Sequence, residues 1–197
     1  MNARLQIVRN DDHFYEFNGQ EYPSVTAILG CIRDFSQVRT ITLEAARAFG
    51  ENVHRACHLW SLGTLNEDKL SDPLKPYLAA WKRFIDESSA IVIASEKSVL
   101  STKYGYAGTP DCMLQMPKSI VLPDLKSTGI PPATVGAQTA AYAHAYKEMI
   151  GIAPRRACIL LRGDGSYSMT VRRDPADWSL FLSCLNVWKF NRKVNYE

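Results

Sequence analysis

Two short stretches carry the residue types that can work on a phosphate ester: Gly108-Thr-Pro-Asp111 and Asp124-Leu-Lys126. On a β-strand, residues two apart point to the same face, so Asp124 and Lys126 present a carboxylate and an ammonium side by side. Asp111 ends the preceding strand or begins its own, and a hairpin of this length returns the chain beside it. Two acidic side chains from neighbouring strands then converge on one divalent cation. A phosphodiester is anionic and repels hydroxide. A Mg²⁺ held by carboxylates offsets that charge, lowers the pKa of a bound water and stabilises the leaving oxygen. Mg²⁺ favours oxygen ligands and keeps several waters, so two carboxylates are enough from the protein. Lys126 is expected to orient or deprotonate the attacking water, or to hold the phosphate. Its ammonium also limits repulsion between the two acids.

Other residues flank this pair. His54 lies at the border of its helix's apolar stripe, and an imidazole ligand suits Mn²⁺ at least as well as Mg²⁺. His58 follows one turn on, but Arg55 stands where a zinc-protease helix needs Glu, so His58 is read as a neighbour and not a ligand. Glu96 is either a polar strand residue beside Lys97 or a group near the metal, binding a metal-ligated water or a second cation. Gln138 and Tyr142 share a helix face; they belong either to an ordinary amphipathic helix or to contacts with the substrate phosphate or Lys126. Ser127 and Thr128 either bond a phosphate oxygen or form a turn. Pro123 implies an edge strand or a bulge, which would aim Asp124 and the Leu125 carbonyl at the metal. Tyr104 and Tyr106 stack on unpaired bases or pack into the core.

Pro110-Asp111 followed by Asp124-Leu125-Lys126 resembles the signature of the PD-(D/E)xK nuclease superfamily, and more of the chain resembles its RecB-like exonuclease branch. Members of that branch carry a His on a preceding helix, an acidic residue on the first strand, a Gly-x-x-Asp, an Asp-x-Lys and a Gln-x-x-x-Tyr. Here these are His54, Glu96, Gly108 with Asp111, Asp124 with Lys126, and Gln138 with Tyr142, in that order. Tyr22-Pro-Ser-Val-Thr26 is similar to the opening segment of phage-type members, so the resemblance spans roughly residues 20 to 150. It implies a metal-dependent DNA exonuclease serving recombination, repair or phage DNA processing. The implied catalytic residues are Asp111, Asp124, Lys126, Glu96, Gln138 and Tyr142. One or two Mg²⁺ or Mn²⁺ ions would be held by His54, Asp111, Asp124 and the backbone carbonyl of Leu125. The partner would be DNA, single- or double-stranded and engaged at its ends, with a recombination protein or a second copy of the chain as further partners. Some members hold an iron–sulfur cluster on four cysteines. Cys31, Cys57, Cys112, Cys158 and Cys184 lack that spacing, so no iron–sulfur cluster is expected, which favours the phage-type or mitochondrial genome-maintenance type. An endonuclease of the same fold and a non-catalytic DNA-binding module stay open, although no signature position carries a neutral replacement.

The elements that must position these residues are legible from pattern. Residues 13–17 and 20–22 read as a hairpin about Asn18-Gly19, and Ser24 caps a short helix through Cys31. A helix from Thr42 to Leu62, capped by Thr42, buries Ala46, Gly50, Val53, Cys57 and Trp60. Asp72-Pro73 opens another, with Leu74, Tyr77 or Leu78, Trp81, Phe84 and Ile85 as core. Residues 90–100, 106–116 and 120–126 read as three strands, the last two joined near Pro117-Lys118. Pro131-Pro132 suits the first turn of a helix to Ile150, ended by Gly151. Residues 157–161 and 167–172 form a last hairpin, and Asp174-Pro175 opens a helix with Phe181, Leu185 and Trp188 on one face. This order predicts an α/β fold, a restriction-endonuclease-like core with a central mixed β-sheet flanked by helices. The whole of 1–197 is expected to form a single nuclease domain: a mainly helical part over 1–90, the catalytic sheet and helix over 91–173, and a C-terminal helix over 174–197.

The chain has 197 residues, 46% apolar and 22% charged, which is ample for one hydrophobic core and typical of a soluble globule. A net charge of +3 announces no overall basic character. Arg155-Arg156, Arg162, Arg172-Arg173, Lys189, Arg192 and Lys193 nevertheless make the last third locally basic, either as solvated surface or as a groove that tracks a phosphate backbone. No run is long enough to span a bilayer and the start lacks a secretory apolar core, so the expected location is the cytoplasm of a bacterial or phage-infected cell, with no membrane partner.

Overall fold

The structure is a computed structural model, described over residues 14–32, 40–127, 129 and 131–194. β1 (Phe14–Phe17) and β2 (Gln20–Pro23) form the expected hairpin, and Asn18 and Gly19 supply its two left-handed residues, φ 51° and 75°. His13, expected in this hairpin, lies outside the described residues. Ser24 caps α1 (Val25–Ile28) by accepting the Ala27 N–H at 3.0 Å, and a 3-10 turn continues to Ile32. α2 (Thr40–Ser61) begins two residues before the expected cap, Thr42. Of its stripe Val53 and Cys57 are buried and Trp60 is partly covered. Ala46 is exposed, and Gly50 is covered in part by Ser127, whose Oγ lies 3.5 Å from where a Cβ would stand. α3 (Lys75–Ser88) follows the 3-10 turn at Asp72-Pro73 and buries Leu78, Trp81 and Phe84.

Two of the expected long strands are broken. The 90–100 stretch divides into β3 (Ile91–Ser95) and β4 (Val99–Ser101), because Glu96 is left-handed at φ 49° and turns the chain out of one sheet into another. The 106–116 stretch divides into β5 (Tyr106–Gly108) and β6 (Cys112–Met116) at Thr109-Pro110-Asp111, where Pro110 has no N–H to offer a ladder. β4 and β5 pair with each other. β7 (Ser119–Lys126) then enters the centre of a five-stranded mixed sheet. The order is β3-β6-β7-β8-β9, with β8 (Arg155–Leu161) parallel to β7 and β9 (Tyr167–Arg172) antiparallel to β8.

Pro123 therefore lies in a central strand, not at an edge. The reason is visible in the register. The β6–β7 ladder stops at Val121, while β7 keeps pairing with β8 through Lys126. Backbone N–H groups alternate sides along a strand, and the Leu125 N–H points to the side where β6 has departed, into the Asp111 carboxylate. The missing N–H of Pro123 faces that same opened side, where no ladder bond is lost.

Helices close both faces of the sheet. Val121, Leu125, Leu114 and Ile159 pack with Val53, Cys57, Trp81 and Phe84 under α2 and α3. Leu122 and Met113 point the other way and pack with Val25, Ile28 and Tyr106. They meet α4 (Thr134–Ile150) and α5 (Ala176–Val194) through Ala137, Ala141, Phe181 and Leu185. The small side chains of α4 let it lie close to both the sheet and α5. Pro131-Pro132 precede α4 instead of forming its first turn, and the Pro132 carbonyl accepts from Val135 N–H at 3.1 Å. Tyr106 is core, its hydroxyl donating to the Ala141 carbonyl at 2.8 Å. Among the described residues no helix is long and apolar enough to cross a membrane, and all five cysteines are free thiols, Cys31 alone exposed.

The far end of α4 is tied to β4 by Glu148. Its carboxylate accepts from Ser101 Oγ at 2.6 Å, Thr102 Oγ1 at 2.9 Å and the Lys103 N–H at 2.9 Å. Partial burial opposes its charge, but these donors outweigh that and hold its pKa below the usual glutamate value. A lowered folded pKa gives stability that is present above the unfolded pKa and lost as pH falls through the folded one. Glu148→Gln is therefore expected to cost about 1 kcal/mol at neutral pH, discounted for exposure. Thermal melts of the two proteins should converge as pH drops below the ordinary glutamate range.

Candidate active site

The end of β7 is where the sequence-predicted residues meet. Asp124 is 2% exposed, in a strand position whose backbone is fixed by pairing with Cys158. Lys126, two residues on, places Nζ 2.6 Å from Asp124 Oδ2 and 3.3 Å from the Leu125 carbonyl. Asp124 Oδ2 is shut off from water, and the Lys126 ammonium is its charge compensation. Asp111 approaches from the loop before β6. Its Oδ2 accepts the Leu125 N–H at 2.7 Å, and its Oδ1 lies 3.2 Å from His54 Nδ1, brought in by α2. The side chains of Asp111 and His54 are only partly exposed, at 23% and 27%.

These groups set one another's charge. Burial disfavours the charged form of His54, but the Asp111 charge and hydrogen bond outweigh it and raise its pKa. Burial likewise works against the Asp111 carboxylate, yet His54, Lys126 and the Leu125 N–H pull its pKa below the ordinary aspartate value. Asp124 goes the other way: burial raises it, and of its charged neighbours Lys126 lowers it while Asp111 raises it further. Burial would lower the Lys126 pKa, but the charges of Asp124 and Asp111 more than compensate, and it is raised.

Among the described residues no three His, Cys, Asp or Glu side chains stand in ready-made ligating geometry. The donors His54, Asp111, Asp124 and the Leu125 carbonyl instead engage one another, Leu125 N–H and Lys126. They nevertheless fit a divalent cation. Two carboxylates, a backbone carbonyl and an imidazole are the oxygen and nitrogen ligands that Mg²⁺ or Mn²⁺ accepts, and His54 Nδ1 already stands 3.2 Å from Asp111.

Glu96 is placed beside this cluster but not on a strand. Its N–H donates to the Asp111 carbonyl at 3.0 Å, and its half-exposed carboxylate lies 3.9 Å from His58 Nε2. His58 Nδ1 lies 2.7 Å from Ser95 Oγ, which donates to the same Asp111 carbonyl at 3.3 Å. His58 thus reaches the Asp111 backbone through Ser95. Ser95 carries no sequence signal: a lone serine before Glu96 has no spacing to mark it.

Gln138 and Tyr142 stand together, Gln138 Nε2 donating to the Tyr142 hydroxyl at 3.4 Å. The contacts of Lys126 come from Asp124 and Leu125 rather than from this pair. Tyr142 explains instead why position 108 is glycine. A Cβ there would overlap the Tyr142 ring and press on Val25 Cγ2 at 3.1 Å. The Gly-x-x-Asp and Gln-x-x-x-Tyr pieces are two halves of one contact, backed by the segment that Ser24 caps. Tyr104 packs edge-on against Trp178 instead of standing free. Thr128 and the side chain of Lys193 lie outside the described residues.

No family model matches the chain, and no curated protein matches it in sequence. Among solved structures it is similar to a candidate exonuclease from Eubacterium rectale, at 11% identity and a TM-score of 0.48, over 68% of this chain and 62% of that one. It is also similar to an alkaline exonuclease from Laribacter hongkongensis, at 18% identity and a TM-score of 0.34, over 74% of this chain and 85% of that one. Likeness this slight leaves the functional reading to the residues themselves.

Proposed function

We propose that this chain is a divalent-metal-dependent deoxyribonuclease on a restriction-endonuclease-like core, degrading DNA from its ends. The observation that carries the reading is the meeting of His54, Asp111, Asp124 and Lys126 at one end of β7, where the buried Asp124 carboxylate has the Lys126 ammonium 2.6 Å away. His54, Asp111, Asp124 and the Leu125 carbonyl would hold one or two Mg²⁺ or Mn²⁺ ions. When bound, such a cation neutralises phosphate charge and acidifies a water. The chain's own groups do the rest. Leu125 N–H and His54 fix the rotamer of Asp111, and Ser95 and Glu96 N–H fix its backbone. Lys126 swings between Asp124 and the phosphate, giving its ammonium to charge that develops on the ester oxygens. Gln138 and Tyr142, next to Gly108, border the site and are assigned to phosphate contact. The family resemblance supports a role in DNA recombination, repair or phage DNA processing.

The test uses end-labelled linear DNA and closed circular DNA, each with Mg²⁺, Mn²⁺ or a chelator. Linear DNA should be degraded with either ion and stay intact with chelator, while circles survive. Circles cut at the same rate would make the enzyme an endonuclease. Degradation that persists in chelator would contradict the metal.

A further inference from the structure

The basic last third of the sequence is a set of charges whose partners only the structure reveals. Arg162 donates to Ser168 Oγ, Lys189 donates to the Tyr104 carbonyl, and Arg192 lies over the rings of Phe14 and Trp188. Arg156 is tied inside the fold to Asp177, the Gly136 carbonyl and the Asp174 carbonyl. Among the described side chains of this set, Arg155, Arg172 and Arg173 are left. They line an open groove of about 440 Å³ with Pro154, Val171 and Arg156, where β8 begins and β9 ends. Arg155 and Arg173 are exposed, and among the described residues neither has an acidic partner. The nearby Asp174 spends its carboxylate on the Ala176 N–H, and Asp177 is matched by Arg156. Arg172 is partly buried, and its Nε is shut off from water with no acceptor. A desolvated guanidinium nitrogen without an acceptor is costly, and Arg172 nonetheless keeps its place in the groove wall beside the two exposed arginines.

We propose that Arg155, Arg172 and Arg173 form a second phosphate-binding surface that grips a nucleic-acid backbone away from the catalytic cluster. The assignment rests on the nuclease reading only in taking DNA as the strand. Three planar guanidinium forks suit phosphate oxygens two at a time. Along the pairing register, Arg172 lies opposite Arg156, which lies opposite Leu122, so the groove is two rungs and two strands from Asp124. That is about 12 Å between backbones. One phosphate cannot fill both places, but successive phosphates of one strand can.

Binding is read by fluorescence anisotropy of labelled single- and double-stranded 30-mers in chelator, across a salt series, so that no cleavage intervenes. The two exposed arginines are removed together, Arg155→Ala with Arg173→Ala, and melting curves confirm the fold. Affinity should fall about tenfold near physiological salt, and the slope of log K against log salt should become shallower by about 2, one phosphate contact per arginine. Arg172→Ala should take away a third contact, and Arg172→Lys should keep it. An unchanged slope in the double variant overturns the proposal. So does poly-glutamate binding with the same dependence on these arginines, which would mark an acidic-protein site. A wild type that binds DNA through the groove but cleaves none would sink the nuclease reading and leave this one standing. Cleavage with a slope indifferent to the arginines would do the reverse.

Discussion

Asp124→Ala is expected to lower DNA cleavage by about a thousandfold or more, equal to roughly 4 kcal/mol of transition-state stabilisation, and to leave the protein folded. The expectation follows from what Asp124 does and does not do. Its place in β7 is held by backbone pairing to β8, not by its carboxylate. Burial and the charge of Asp111 work against its ionisation, and only Lys126 compensates its charge closely. A side chain so placed is kept for what it binds, not for what it stabilises. Removing it leaves Lys126, which is 21% exposed and can turn its ammonium to water. Circular dichroism and a cooperative melt check the fold, and end-labelled linear DNA checks the activity. Cleavage at the native rate would remove Asp124 from the mechanism. Loss of the fold would make it structural.

Gly108→Ala is the second large effect. The methyl would enter the Tyr142 ring and crowd Val25, so Tyr142 must move or β5 must shift. Overpacking of this kind costs about 2 kcal/mol, which for a chain of this size lowers Tm by about 6 °C. Activity should fall as well, because Asp111 is three residues on and Gln138 leans on the Tyr142 hydroxyl. A double-mutant cycle isolates the cause. With Tyr142→Ala as background the ring is gone, and Gly108→Ala should then cost little. The same loss in both backgrounds would mean that the glycine serves the backbone and not the ring.

What could be read without coordinates follows a physical divide. Asp124 and Lys126 were legible because period-two geometry is local and puts both on one face, where the long Lys126 side chain reaches the carboxylate at 2.6 Å. The Asn18-Gly19 hairpin was legible for the same reason, whereas the α2 stripe was legible only in its second half, since Ala46 is exposed. The breaks at Glu96 and at Thr109-Pro110 were not, since the apolar pattern runs through them and only the change of sheet shows that the chain turns. Pro123 misled because its tolerance in a central strand depends on β6 leaving the ladder, a long-range fact. The charges of the last third were visible, but which of them are already matched depends on Asp177, Ser168 and Tyr104, all brought in by folding. The path from His58 through Ser95 to the Asp111 carbonyl is likewise tertiary and has no motif.

The most direct measurement is calorimetric titration of Mn²⁺ into the wild type and into Asp124→Asn, with His54→Ala alongside. The account predicts saturable binding in the wild type that disappears in both variants while their melts stay cooperative. Equal heats in the wild type and Asp124→Asn, or no binding to the wild type with or without DNA, would contradict it.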